Sequence, residues 1–189
     1  YFIRKTDGQM QYYSLSAGVK DKISSNDEIW HIVRLGEKIY FQSFTGWYSY
    51  DGKAVSYMDR KSGFRPLYFY TCHDKVYAQM INGGFYEFDG QRFHLLLERT
   101  AVGNDNVVAI LPYGNSGMVL LTVDSGLFVY EHGTVSALRT DIDAQLRWAK
   151  GNRAVMVGDS ILAIGTILDG IYGVDKKGHL LWHLNRDNQ

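Results

Sequence analysis

One short pattern recurs along this chain: a glycine, an alternating aromatic strand, then a tight turn closed by a second glycine. It reads "GWYSYDG" at Gly46–Gly52, "GFYEFDG" at Gly84–Gly90, "GLFVYEHG" at Gly126–Gly133 and "GIYGVDKKG" at Gly170–Gly178. The closing glycines, with Gly8 of an earlier "DG" pair, are spaced 38 to 45 residues apart. A period of that length is the length of a four-stranded propeller blade. The physical reason for repetition is burial. An isolated four-stranded sheet leaves an apolar face in water, whereas sheets stacked side by side cover both faces of each other, so the same two-sided strand must be written once per sheet.

Each repeat can be divided into four strands. The first reads "IWHIVRL", "KIYFQSF", "GWYSYD", "KAVSYM"; the second "PLYFYTC", "KVYAQMI", "GFYEFD", "RFHLLL"; the third "VVAILPY", "MVLLTV", "GLFVYE", "TVSAL"; the fourth "AVMV", "ILAIGTI", "GIYGVD", "HLLWHL". The connectors between first and second strands ("GE", "HD", "GNSG", "GD") and between third and fourth ("DG", "DG", "HG", "KKG") carry residues that accept positive φ in hairpin turns. Tyr48, Tyr86, Phe128 and Tyr172 occupy one repeat position and are expected in the core between blades. The leading glycines Gly46, Gly84, Gly126 and Gly170 are expected to let the second-to-third-strand turn close. The expected fold is all-β: a β-propeller segment of about four and a half four-stranded blades. A half blade covers 1–16, and blades cover approximately 28–58, 66–98, 107–138 and 154–184.

The half blade supplies third and fourth strands without inner partners, and Tyr1 opens in mid-strand, as expected of a piece of a longer chain. An open arc of blades would expose apolar faces. Further blades of the parent chain, or self-association with a second copy, are expected to cover them.

Composition removes several function classes. Lys plus Arg and Asp plus Glu both number 20, so nothing electrostatic points to nucleic acid or an anionic membrane. No apolar run approaches the ~18 residues of a membrane-spanning helix. Cys72 is the single cysteine, which excludes an intrachain disulfide, and it is expected to be a packed small residue. His179 and His183 share one strand face, but four strand residues span about 13 Å, too far for one ion. No catalytic constellation, metal site, phosphate-cradling loop or cofactor motif stands out, and no cofactor is expected.

Binding is the stronger expectation. In a propeller the inter-blade connections and the second-to-third-strand loops open on one face, where ligands bind. The inter-blade connections are Asp59–Arg65, Arg99–Asn106 and Arg139–Arg153. The last is the longest, and "IDAQLRWAK" within it has the composition of a short helix. Asp141, Asp143, Arg147, Trp148 and Arg153 supply an aromatic plane beside polar groups, the combination that sugar recognition uses. Lys150 lies in the same stretch. Asn104 and Asp105 are further candidates, as are Asn82 and Asp124; all four are also ordinary turn formers. The competing reading has Trp148 capping the blade core and the charges facing water.

The fourth repeat, "ILAIGTILDGIYGVDKKGHLLWHLNRDN", resembles the two-component regulator propeller repeat. The shared features are an apolar strand ending in Gly165-Thr166, a polar turn with Asp169, the Gly170-Ile171-Tyr172 strand, the turn from Asp175 to Gly178, and Trp182 in the last strand. The family continues with Asn-Gly-Leu, whereas Asn188 is followed by Gln189. The other repeats keep the glycine-aromatic strand but lack Gly-Thr. Gly178 to Trp182 also resembles the "GxLLW" ending of pyrroloquinoline-quinone-type repeats, and the Trp-Asp signature is absent. The first resemblance implies a periplasmic sensor propeller of a hybrid two-component transcriptional regulator, as in Bacteroidetes. In such a protein the segment is not catalytic, its ligand is an oligosaccharide, and the parent is an inner-membrane protein carrying a histidine kinase. The alternatives are a propeller enzyme, of the quinone-dependent dehydrogenase or polysaccharide lyase type, and a protein-interaction scaffold.

Overall fold

The computed structural model describes residues 2–23, 27–43, 46–58 and 65–188; of the Asp59–Arg65 connection, all but Arg65 lie outside them. The described residues form one two-stranded and four four-stranded sheets, with every pairing antiparallel. Within each four-stranded sheet the strands run in sequence order, which is the meander of a propeller blade. The chain divides into two compact units, Tyr1–Arg65 and Pro66–Gln189.

In the first unit, β1 (Phe2–Arg4) and β2 (Met10–Tyr12) form the hairpin. A 3-10 turn, Ser16–Val19, follows. The first full sheet is β3 (Ile29–Leu35), β4 (Lys38–Ser43), β5 (Trp47–Tyr50) and β6 (Val55–Met58). Tyr48 is buried, rests against Tyr57 with ring centroids 5.3 Å apart, and donates its hydroxyl to Asp27 Oδ2 at 3.2 Å.

The second unit holds three sheets: β7 (Pro66–Cys72) to β10 (Phe93–Leu97) through β8 (Lys75–Met80) and β9 (Phe85–Phe88); β11 (Val107–Tyr113) to β14 (Thr134–Leu138) through β12 (Gly117–Thr122) and β13 (Leu127–Glu131); and β15 (Gly151–Val157) to β18 (Leu180–Leu184) through β16 (Ile161–Thr166) and β17 (Ile171–Asp175). The middle sheet shows why the repeat exists. Alternate residues of a strand point to opposite faces. Ala109, Leu111, Val119 and Leu121 pack with Leu162, Ile164, Tyr172 and Val174 of the following sheet. Their neighbours Ile110, Met118 and Leu120 pack with Cys72, Tyr77 and Phe85 of the preceding one. Burying each such side chain contributes about 1.5–3 kcal/mol. At the repeated aromatic position Tyr48 and Tyr172 are buried, while Tyr86 and Phe128 are half-buried.

A hydroxyl ends the second strand in three of the sheets and clamps the loop that follows. Ser43 Oγ donates to the carbonyl of Gly46 at 3.0 Å, Thr122 Oγ1 to Gly126 at 2.8 Å, and Thr166 Oγ1 to Gly170 at 3.0 Å. The β7–β10 sheet has Met80 there, and buried Gln79 does the work instead. Its Nε2 donates to the carbonyls of Met80 and Gly83, both at 2.9 Å, while its Oε1 accepts the Val107 N–H of the next sheet at 3.0 Å. The leading glycines are needed for two different reasons. Gly126 has φ +90°, as a turn-closing residue would. Gly84 does not; there the fourth strand comes so close that a Cβ would overlap the carbonyl oxygen of Leu97. Gly84→Ala should therefore cost about 1–3 kcal/mol. Gly165→Ala, with nothing nearer than 3.7 Å to the new carbon, should stay within about 0.5 kcal/mol. Urea denaturation of both variants measures the difference.

Aspartates open the turns between third and fourth strands. Asp89 Oδ1 accepts the N–H groups of Gln91 and Arg92, both at 2.8 Å, and its Oδ2 lies 2.7 Å from His94 Nε2. Asp51 and Asp175 hold their turns the same way. The His94 contact and the two N–H groups hold the Asp89 carboxyl well below the usual carboxylate range. A depressed folded-state pKa stabilises above the unfolded value of about 3.9 and is lost as pH falls through the folded one. Asp89→Ala should thus lower stability at neutral pH and flatten the loss of stability below about pH 4. Urea midpoints measured from pH 7 down to pH 2 check both.

Candidate functional site

The face that carries the inter-blade connections is best defined in the second unit. Residues Asp143–Ala149 form helix α1, as the composition of 142–150 predicts. Ile142, Leu146 and Ala149, at near-helical spacing, are fully buried, and Ile142 and Leu146 belong to the core between the β11–β14 and β15–β18 sheets. Asp143 works at the start of the helix, accepting the Thr140 N–H at 2.9 Å and its hydroxyl at 2.8 Å. Burial works against ionisation of Asp143, but the Thr140 and Arg139 hydrogen bonds outweigh it and hold the carboxyl below its ordinary range. Asp141 ties the connection to the β17–β18 turn: its N–H donates to the Gly178 carbonyl and its Oδ2 accepts the Leu180 N–H at 3.0 Å.

The side of α1 away from the core presents Arg147 and Trp148, and Trp148 is 61% exposed. Leu146, not Trp148, caps the core. The loop between β16 and β17 docks on the end of this helix, with the N–H groups of Ile167 and Leu168 donating to the Ala149 carbonyl at 3.0 Å. Ile167 and Leu168 are themselves 60% and 58% exposed. Trp148, Ile167 and Leu168 are thus three exposed apolar residues near the helix terminus. Lys150, at φ +63°, ends the helix and pairs its ammonium with Asp124 of the β12–β13 loop.

Asp105 and Asn104 turn out to be unlike one another. Asp105 is buried, and its Oδ2 accepts the N–H groups of Asp124 at 2.5 Å and Ser125 at 2.8 Å, fastening the β12–β13 loop. Asn104 is exposed at φ +59° and its N–H donates to the Arg99 carbonyl, so it is a turn residue. Asn82, at φ +54°, is another. Asp105→Ala would leave two loop N–H groups without their acceptor and should cost about 2–3 kcal/mol. Asn104→Gly should be neutral within about 0.5 kcal/mol. Thermal and urea unfolding of the pair distinguishes a fastener from a turn former.

Arg153 stands apart from the helix, in β15, which begins at Gly151 rather than at Ala154. Its guanidinium carbon lies 5.0 Å from the ring centroid of Tyr68 in β7, and its Nη1 donates to the Asn152 carbonyl at 2.9 Å. One further cluster was not legible in the sequence. The Asp169 carboxylate accepts the Tyr172 hydroxyl and the Asn185 amide, and the His183 ring stacks on Tyr172 at 4.0 Å. The Tyr172 and Asn185 donors hold Asp169 below the carboxylate range, and burial together with Asp169 pushes the Tyr172 hydroxyl well above its ordinary value. His183 and Asn185 lie 14 and 16 residues from Asp169, across a strand turn, a spacing that carries no motif.

The first unit contains a cavity of about 370 Å³, lined by Tyr12, Val19, Ile23, Asp27, Phe41 and Tyr48 among others. Among the described residues no three His, Cys, Asp or Glu side chains come together as a metal centre would require. No helix among them is long and apolar enough to cross a membrane. Burial raises the Cys72 thiol to about 11, which leaves it protonated and unreactive at neutral pH.

No protein-family model and no curated protein matches the chain. Solved structures do. The extracellular domain of BT4673 from B. thetaiotaomicron, described in one structure as a one-component and in another as a hybrid two-component system, matches with TM-scores of 0.63 and 0.61 at 16% identity. The match covers 85% and 82% of this chain, and 22% of the BT4673 chain in each case. The extracellular domain of the hybrid two-component system BT3049 from the same organism matches at TM-score 0.52 and 14% identity, over 95% of this chain and 30% of that one. A computationally designed protein, Ika8, reaches the same TM-score at 13% identity over 81% of this chain and 48% of its own. A natural extracellular domain and a designed protein thus score alike, and what they share with this chain is its fold: a succession of four-stranded propeller blades, here spanning less than a third of the BT4673 and BT3049 chains.

Proposed function

We propose that this segment is part of the extracytoplasmic ligand-sensing propeller of a two-component regulator of the hybrid histidine-kinase type, responding to oligosaccharides and not itself catalytic. The parent would be an inner-membrane protein with this segment in the periplasm, its output the regulation of transcription. The observation that carries the reading is the exposed Trp148, on a helix whose inner face is buried and to whose end the backbone of exposed Ile167 and Leu168 is hydrogen-bonded. A flat aromatic on a rigid support is what a sugar ring stacks on, and a pre-formed site spends little free energy on ordering. The likeness in fold to the extracellular domains of BT4673 and BT3049 supports the sensor context. The outer face of the last sheet exposes Val155, Val157, Ile171 and Leu184. We take this face to be covered by further blades of the parent or by a second copy.

Calorimetric titration of a panel of neutral and acidic oligosaccharides into the full-length protein tests the reading. Binding of at least one sugar, weakened tenfold or more by Trp148→Ala with an unchanged melting temperature, is the expected result. Chromatography of the same mixtures after prolonged incubation should show the sugars intact. Absence of binding across the panel contradicts the sensor reading, and cleavage of a sugar contradicts the non-catalytic one.

A further inference from the structure

The first strands of all four full sheets share an irregularity. The pairing with the second strand slips by one residue between Ile29 and His31, between Pro66 and Tyr68, between Val107 and Ala109, and between Gly151 and Arg153. Each slip is a β-bulge, a device that re-aims the side chains beside it. In the second unit, the residues just past the bulge are Tyr68, Ala109 and Arg153. The first strands of these sheets pack side by side. Ala109, the equivalent residue of the middle strand, is small and buried. Arg153 reaches across an entire sheet to Tyr68.

The arrangement leaves a charge unspent. Arg139 pairs with Asp143, Arg34 with Glu37 and Lys150 with Asp124. No carboxylate among the described residues pairs with Arg153, whose guanidinium lies over the Tyr68 ring. A guanidinium carries five N–H donors, and the structure commits one of its nitrogens, to the Asn152 carbonyl. The cation–π contact with Tyr68 holds the guanidinium in one place and leaves the rest of its fork uncommitted, and a free fork is what captures a carboxylate bidentately. One uncompensated positive charge matches a monoanion. A phosphate carries nearer two charges and would call for a second cation, and Lys150, three residues away in the chain, is already paired.

We propose that Arg153, pre-oriented by Tyr68 at the bulged inner edge of the blades, binds the carboxylate of an acidic ligand, so that the saccharide taken by this protein contains a uronic acid. The proposal rests on the sensor reading and narrows its ligand class.

The test is calorimetric titration of the full-length protein with a galacturonic acid trimer and with its carboxyl-reduced galactose counterpart. The acid trimer should bind at least tenfold more tightly, and its affinity should fall as salt rises. Arg153→Gln should abolish the difference between the two trimers, while circular dichroism and the melting temperature stay at the wild-type values. Tyr68→Leu, which keeps an apolar side chain but removes the ring, should weaken the acid trimer several-fold and leave the neutral one unchanged. Equal binding of the two trimers, failure of the acid trimer to bind, or an affinity that survives Arg153→Gln overturns the carboxylate subsite. Neutral sugars that bind through Trp148 while the acid trimer shows no preference would overturn this subsite and leave the sensor reading standing.

Discussion

The structure depends on covering both faces of a four-stranded sheet. The middle sheet of the second unit, β11 to β14, sends Leu111, Val119 and Leu121 to one side and Ile110, Met118 and Leu120 to the other. Neither set could remain in water without cost, since each side chain contributes on the order of 1.5–3 kcal/mol by burial. One sheet therefore requires two neighbours. The requirement passes along the chain from sheet to sheet, and it applies equally to the exposed Val155 and Val157 of the β15–β18 sheet.

Stacking brings the ends of the strands together, and polar side chains hold the loops there in place. The Ser43, Thr122 and Thr166 hydroxyls close the loops after the second strands, and Gln79 closes its own loop while reaching the next sheet. Asp105 fastens the β12–β13 loop, whose Asp124 then meets Lys150 at the end of α1. This chain of contacts keeps Trp148 on an immobile base while leaving its ring in solvent. Most of the charged residues on the face are consumed in making it rigid. Arg147 and Arg153 pair with no carboxylate among the described residues.

How much of this the sequence discloses follows from the range of each interaction. Hairpin turns and the glycine-aromatic strand are local, so the repeat is legible and the four sheets follow from it. The helix in the longest connection is legible too, because "IDAQLRWAK" breaks the alternating strand pattern and has the composition of a short helix. The bulges are not. The residues around them read Ile-Trp-His, Pro-Leu-Tyr, Val-Val-Ala and Gly-Asn-Arg, and no common type marks the slip. The meeting of Arg153 with Tyr68 joins residues beside two separate bulges in the first and third sheets of the second unit, so no spacing rule could reveal it. Asp105 and Asn104 look equivalent as turn formers, and only burial separates the fastener from the turn residue. Gly84 and Gly126 occupy one repeat position, yet one answers to a neighbouring carbonyl and the other to its own φ.

If two-sided burial is what holds the second unit together, its three sheets cannot open separately. Native-state hydrogen exchange measures this directly. The amides of Ala78, Leu120 and Ile164, one in the second strand of each sheet, should exchange with the same opening free energy and the same denaturant dependence, equal to those of global unfolding. Three distinct opening energies, with the β15–β18 sheet opening while Leu120 stays protected, would contradict the account.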